Sequence, residues 1–282
     1  MTTSLWQTTR FRIDLTQPKV MAIVNLTPDS FSDGGQLTKL THALDHAQKL
    51  LAQGADILDI GGESSRPGAQ TVSVDEELSR IVPFIKEALK WQVPVSVDTA
   101  KPEVMKAVLD MGVDIINDIW ALRQPNALKV VSQYDDCGVC LMHMHREPQT
   151  MFEQPMSGDA VVAVKDFLSQ RVHDLLDHGI SPSRIVLDPG IGFGKTLDQN
   201  LSLLTRQAEI LSLGHPLLAG WSRKGTLGKL TAVKGVVPDP TNRVGASVGA
   251  ALMAVQNGAS VVRVHDVLET VQALRFWQVA RA

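Results

Sequence analysis

Residues 93–117 read VPVSVDTAKPEVMKAVLDMGVDIIN. An apolar run from Val93 ends in Asp98, and Pro102 follows where the first turn of a helix accepts proline. A stretch of helical period runs to Met111, Gly112 stops it, and a second apolar run from Asp114 ends in Asn117. This is a β-then-α unit handing over to the next strand, and each strand finishes in a hydrogen-bonding side chain.

The same pattern extends in both directions. Strands are predicted at Val20–Asn25, Asp56–Gly61, Val93–Asp98, Asp114–Asn117, Val139–His143, Arg184–Asp188, Pro216–Ser222 and Ser260–His265. Helices are predicted at Leu40–Gln53, Asp75–Trp91, Pro102–Met111, Asn126–Asp135, Val161–His178, Gln199–Leu213, Asn242–Asn257 and Val267–Val279. Gly54, Gly112, Gly179, Gly214 and Gly258 stand where helices should stop. Eight such units over about 250 residues are what a (β/α)8 TIM barrel needs, whereas a doubly wound sheet uses fewer strands and a nucleotide loop after the first. The expected fold is therefore α/β, one TIM-barrel domain over 1–282. Residues 1–19 would be a hairpin-like leader at the lower mouth and residues 20–282 the barrel.

Composition narrows the function. The 282 residues carry a net charge of −3, which gives no global basic field for nucleic acid. With 44% hydrophobic and 20% charged residues, the chain is globular. Two cysteines make no disulfide framework, Met1 to Arg10 has no apolar signal core, and the apolar run Val244–Val255 is too short to span a bilayer. A soluble, cytoplasmic protein that binds neither nucleic acid nor membrane is expected.

In a TIM barrel the C-terminal strand ends open onto the active face. In order, those ends are Asn25, Gly61-Gly62, Asp98, Asn117, His143, Asp188, Ser222 and His265. Period 2 puts Asp98 with Ser96, Asn117 with Ile115, Asp188 with Val186, and Arg263 with His265 on common faces. Helix capping alone would not require so many polar ends on one rim. The loop from Asn25 to Gly35 is rich in side-chain oxygens, and Asn25 offers a neutral oxygen to Mg²⁺ beside a phosphate. In Gly61–Gly68, Arg66 offers a planar fork for phosphate or carboxylate. The run Asp188–Thr196 is similar to a P-loop, but Pro189 stands where the first glycine belongs. It is better read as placing Asp188, Phe193 and Lys195 around a planar ligand. Ser222, Arg223 and Lys224 precede a helix start, a place that holds anions. Cys137 and Cys140 with His143 and His145 are spaced like metal ligands, but Cys140 and His143 fall on opposite strand faces, so the cysteines are read as structural.

The acceptors Asp98, Asn117 and Asp188, with Asp59 as a further candidate, suit a donor-rich ring edge such as an aminopyrimidinone. The cations Arg66, Lys224, Arg263 and His265 suit phosphates. A ring beside a pyrophosphate suggests displacement of pyrophosphate at carbon.

The runs Asn25–Gly35, Gly61–Gly68, Ser96–Thr99, Asn117–Ile119, Met142–Met144, Asp188–Lys195, Ser222–Lys224 and Arg263–His265 together resemble the dihydropteroate synthases of folate biosynthesis, in that family's order and over nearly the whole chain from Val20. The resemblance implies condensation of 6-hydroxymethyl-7,8-dihydropterin diphosphate with 4-aminobenzoate to 7,8-dihydropteroate and pyrophosphate. Mg²⁺ is the implied cofactor, a homodimer the implied assembly, and sulfonamides the implied inhibitors. By resemblance, Asp98, Asn117, Asp188 and Lys224 hold the pterin, while Asn25, Ser65, Arg66, Arg263 and His265 serve pyrophosphate, Asn25 with the metal. Ser65, Arg66, Pro67, Phe193, Ser222 and Lys224 form the aminobenzoate pocket. Phe31 and Asp33 belong to a lid loop, and Asp98, Lys224, Arg263 and His265 carry the catalysis.

Three departures from the family pattern bear on inhibitor binding: Ser65 in place of threonine, the bulky His145-Arg146-Glu147, and Trp221 in place of a smaller residue. Two other readings fit parts of the pattern. A methyltetrahydrofolate-binding methyltransferase barrel would need neither the Ser65–Pro67 loop nor the Ser222–Lys224 site. A non-catalytic pterin-binding paralogue should have lost lid or pyrophosphate residues that are all present here.

Overall fold

The computed structural model describes residues 4–27, 36–64, 70–147, 150–151 and 153–281. Strands β1 (Leu5–Gln7) and β2 (Arg12–Asp14) form the antiparallel leader hairpin, with Trp6 opposite Ile13. Eight parallel strands follow: β3 (Lys19–Asn25), β4 (Ile57–Gly61), β5 (Val95–Asp98), β6 (Ile115–Asp118), β7 (Gly138–Met142), β8 (Ile185–Asp188), β9 (Leu218–Ala219) and β10 (Val261–Val264). They pair in the order β8-β7-β6-β5-β4-β3-β10-β9. A parallel bridge between Leu187 and Leu217, with Leu187 N donating to Pro216 O at 3.0 Å, brings the two ends together, so the barrel is nearly closed. Around it run α1 (Gln36–Ala52), α2 (Val74–Ala88), α3 (Pro102–Asp110), α4 (Ala127–Val131), α5 (Ala160–Asp177), α6 (Leu197–Thr205), α7 (Gln207–Leu211), α8 (Gly225–Leu230), α9 (Val244–Gln256) and α10 (Val267–Arg281).

Alternation along the strands divides the apolar residues into two cores. Outward residues such as Val20, Ala22, Leu58, Ile60, Val97, Ile116, Leu141 and Val262 join the helices in the outer core. Inward residues Met21, Ile57, Ile115, Cys140, Val186, Leu218 and Val261 fill the lower barrel, where Trp6, Ile13 and Leu15 of the leader close the bottom. Trp6 is fully buried, and its Nε1 donates to Arg184 O at 2.9 Å. One step further up each strand the inward residues turn polar, and that change of layer positions the site.

The helix stops are where the sequence put them: all five glycines take positive φ. Local caps fix several starts. Ser73 accepts from Glu76 N before α2, and Thr196 and Gln199 form a reciprocal capping box on α6. Three expectations differ. The predicted helix Gln199–Leu213 is two helices, because Arg206 leaves helical geometry while its guanidinium pairs with Asp159 and Glu209. The predicted helix Asn126–Asp135 is a single short turn, Ala127–Val131, entered through left-handed Asn126. The predicted strand Pro216–Ser222 contributes two ladder residues, and the helix start expected after Lys224 is the short α8. Among the described residues no helix is long and apolar enough to cross a membrane.

Candidate active site

The polar layer is organised around Arg263, which β10 aims into the barrel. Its Nε donates to Asp59 Oδ2 at 2.6 Å, and its Nη2 donates to Asp98 Oδ2 at 2.7 Å. Asn117 Nδ2 donates to the same Asp59 oxygen at 3.2 Å, while the buried Asp59 Oδ1 has no hydrogen-bond partner among the described residues. Burial would lower the guanidinium, but Asp59 and Asp98 outweigh it and raise Arg263 above its ordinary value. Burial pushes Asp98 up to about 7; Arg263 opposes this, and the charges of Asp59, Asp118 and Glu77 add to it.

Across the mouth, Asp188 ends β8. Its Oδ1 accepts from Gly190 N at 2.7 Å, and its pKa is raised by burial against the pull of Lys224 and Lys195. Lys224 stands at the start of α8, lowered by burial to about 8 with Asp188 opposing. Its Nζ lies 4.0 Å from the centroid of the Phe193 ring, so the ring covers an ammonium that also faces Asp188. On the third side, Ser222 Oγ accepts from His265 N at 3.1 Å and lies 3.0 Å from His265 Nδ1. A Cβ at Gly61 would sit 3.5 Å from Asn25 Oδ1 and 3.9 Å from Asp98 Cβ, which places the Asn25 amide beside the acidic cluster. A cavity of about 580 Å³ opens at Asp98 and is lined by Thr99, Lys101, Ile119 and Trp120 among others.

The structure thus brings together Asp98, Asn117, Asp188, Lys224, Arg263, His265, Ser222, Phe193 and Asn25. Phe31, Asp33, Ser65, Arg66 and Pro67 lie outside the described residues. Two readings are corrected. Lys195 does not face a ligand: its buried Nζ donates to the backbone oxygens of Gly190, Phe193 and His143. Arg223 is not an anion contact, because its guanidinium is held by Asp266 at 2.5 Å. Trp221 packs into the outer core, on the side of the strand away from the mouth. Cys140 lies inside the barrel, whereas His143 packs edge-on against Phe167 at 5.0 Å, the separation that period 2 requires. Both cysteines are free, and burial pushes Cys137 up to about 12.

Sequence reasoning missed the bridge from Lys101 to Glu63 and to buried Glu77, the latter at 2.5 Å. It joins the β4 loop, α2 and the start of α3, and nothing in the spacing of three residues on three elements marks it. Asp118, inside the run Asn117–Ile119, has no role in the sequence reading. It is fully buried, raised by burial to about 6, and accepts from Trp120 N and Leu122 N at 2.8 and 2.7 Å.

A barrel whose mouth sets acceptors for a ring beside cations for phosphates belongs to the pterin-binding class, and residues 21–265 match the family model described as "Pterin binding enzyme". A dihydropteroate synthase of Neisseria meningitidis serogroup B is 47% identical over 283 residues, covering 99% of this chain and 98% of that protein. The Xanthomonas albilineans dihydropteroate synthase solved with 4-aminobenzoic acid superposes with a TM-score of 0.92 at 45% identity, over 100% of this chain and 99% of that one. The Burkholderia cenocepacia dihydropteroate synthase complexed with 7,8-dihydropteroate does so with a TM-score of 0.89 at 44% identity, over 100% and 98%. The chain belongs to the dihydropteroate synthases, the transferases that make dihydropteroate in folate biosynthesis.

Proposed function

We propose that this chain, as one catalytic domain over 1–282, joins 6-hydroxymethyl-7,8-dihydropterin diphosphate to 4-aminobenzoate by a carbocation-like displacement. The observation that carries the reading is the Asp59–Arg263–Asp98 cluster facing Asp188 and Lys224 across one mouth. Asp98, Asn117 and Asp188 accept from the donor edge of the pterin, and the Lys224 ammonium donates to its ring acceptors. Arg263 and His265, with Ser65 and Arg66, take the pyrophosphate. Phe193, Ser222, Pro67, Arg66, Ser65 and the Lys224 stem enclose the aminobenzoate, and the loop of Phe31 and Asp33 covers the site.

The methylene C–O bond breaks with its electron pair leaving on pyrophosphate. The resulting positive charge is shared with the pterin ring, and fixed negative charge at Asp98 stabilises it. The arylamine lone pair then forms the C–N bond and its proton leaves to solvent. Closure of the loops excludes competing water.

Asn25 suits Mg²⁺ as a single neutral oxygen donor at the rim, since magnesium beside phosphate keeps its waters and takes few protein ligands. When bound with the substrate, Mg²⁺ would neutralise charge developing on the leaving pyrophosphate. A homodimer through α9 and α10 is supported by exposed Met253, Phe276 and Val279 on those two helices. A cytoplasmic location is supported by the two free thiols.

The test is pyrophosphate release from the dihydropterin diphosphate with Mg²⁺, with and without 4-aminobenzoate, the pterin product being identified by mass. Release coupled to pteroate formation is expected. Tight pterin binding without coupled product would overturn the catalytic reading.

A further inference from the structure

Lys195 is a buried ammonium that the reaction does not use. Its Nζ donates to Gly190 O at 2.8 Å, Phe193 O at 3.2 Å and His143 O at 3.3 Å, so its three N–H donors meet three backbone oxygens. Among the described residues it makes no ion pair. These acceptors come from two backbone segments pressed together. A Cβ at Gly190 (φ +67°) would lie 1.8 Å from His143 O, and one at Gly194 (φ +70°) would lie 2.7 Å from His145 O. Only glycine allows the approach; Gly190 O and Phe193 O already accept from Phe193 N and His145 N, and one further donor can tie both to His143 O. Lys195 is that donor.

The clasped loop carries two groups of the site. Gly190 N holds Asp188 Oδ1 at 2.7 Å, and the Phe193 ring covers the Lys224 Nζ. Asn200 braces the same loop, accepting from Gly192 N at 2.7 Å. We propose that Lys195 is a positioning residue that sets Asp188 and Phe193 together, coupling the pterin edge to the aminobenzoate wall. The proposal rests on the site assignment given above and adds to it a side chain that touches neither substrate.

The experiment compares Lys195→Met, Phe193→Ala, Asp188→Ala and the double variant Lys195→Met/Phe193→Ala. It reads KM for 4-aminobenzoate, kcat, and calorimetric affinity for the unphosphorylated dihydropterin, with near-UV circular dichroism and melting to establish the fold. Lys195→Met is expected to raise the aminobenzoate KM about tenfold and to weaken the pterin several-fold, the order expected for a misplacement of under an ångström. In the Phe193→Ala background its effect on aminobenzoate should shrink to less than threefold, because the ring it positions is gone. Lys195→Arg, which keeps the charge and donors, should recover part of the loss, and it stands in if the methionine variant does not fold.

The proposal is overturned if Lys195→Met leaves both ligands within twofold of the parent, or if its full effect persists without the Phe193 ring. If Phe193→Ala and Asp188→Ala are themselves silent, the site assignment fails, and this proposal fails with it. If those two variants are impaired while Lys195→Met is silent, only this proposal fails.

Discussion

Asp59→Asn tests the electrostatic centre of the site. The substitution keeps shape and removes one charge from a fully buried side chain that binds Arg263 Nε at 2.6 Å. Breaking a buried pair outright costs about 3–5 kcal/mol, because a charge is left uncompensated. Here Asp98 still holds Nη2 at 2.7 Å, so the loss is closer to one charge-assisted hydrogen bond, about 1.5–3 kcal/mol. The second effect is on Asp98. Two carboxylates gripping one guanidinium lie on the order of 5 Å apart, where like charges at an effective dielectric of about 20 repel by about 3 kcal/mol, roughly two pKa units.

Asp98 sits at about 7 with Asp59 among the charges raising it. In the role proposed above Asp98 acts as the carboxylate, so kcat/KM should rise with pH through that value. Removing a neighbouring negative charge lowers the value and moves the rising limb to lower pH by one to two units, an order-of-magnitude figure. Urea unfolding and a pH profile of kcat/KM measure the two effects separately. A stability change under about 0.5 kcal/mol, together with an unmoved limb, would refute the view that Asp59 carries the Arg263 charge.

Other outcomes follow from the same geometry. The parent enzyme should show a narrow bell in kcat/KM, rising through about 7 as Asp98 ionises and falling through about 8 as Lys224 loses its proton; a flat profile from pH 6 to 9 would sink this assignment. Asp188→Ala should abolish calorimetric binding of the unphosphorylated dihydropterin, since it removes the acceptor for a buried donor edge. Arg263→Lys keeps the charge that Asp59 and Asp98 need but loses the fork, so it should weaken the diphosphate substrate at least about tenfold more than the bare pterin; equal losses would argue against a pyrophosphate contact. Trp6→Ala should cost about 3–5 kcal/mol by opening the lower mouth, and lower Tm by roughly 10 °C, with little change in aminobenzoate KM.

Much of this was legible before the fold was known because a barrel strand encodes its own geometry. Residues two apart share a face, so Ile115 under Asn117 and Val186 under Asp188 announce an apolar floor beneath a polar rim. Ser222 and Trp221 divide in the same way, the hydroxyl to His265 and the indole to the outer core. What stayed hidden is whatever depends on contacts between elements. Lys195 lies in a glycine-rich run that suits a ligand, and only the approach of residues 143–145 turns its ammonium to the backbone. The Glu63–Lys101–Glu77 bridge and the break at Arg206 are likewise tertiary. The seven residues read as the seventh strand contain Pro216 and Gly220, both poor ladder residues, and the ladder keeps two of them.

The pairing of two acids on one guanidinium has a functional logic that follows from their exposure. Asp59 is fully buried, holds Nε and has no route to a ligand. Asp98 retains 16% of its side-chain surface and opens into the cavity, so it can turn to a ligand donor. In the proposed reading, a pterin that engages Asp98 would leave Arg263 with Asp59 as its counter-charge and with a free donor edge toward the phosphate side. Neither the guanidinium nor the deep carboxylate is then stranded in a medium of low dielectric, a condition that would cost several kcal/mol. A single carboxylate could not both neutralise Arg263 in the empty enzyme and leave it for substrate. The permanent partner is therefore what allows the exchangeable one, and Asp59, set one step below the rim, is as much a part of the site as the residues that line it.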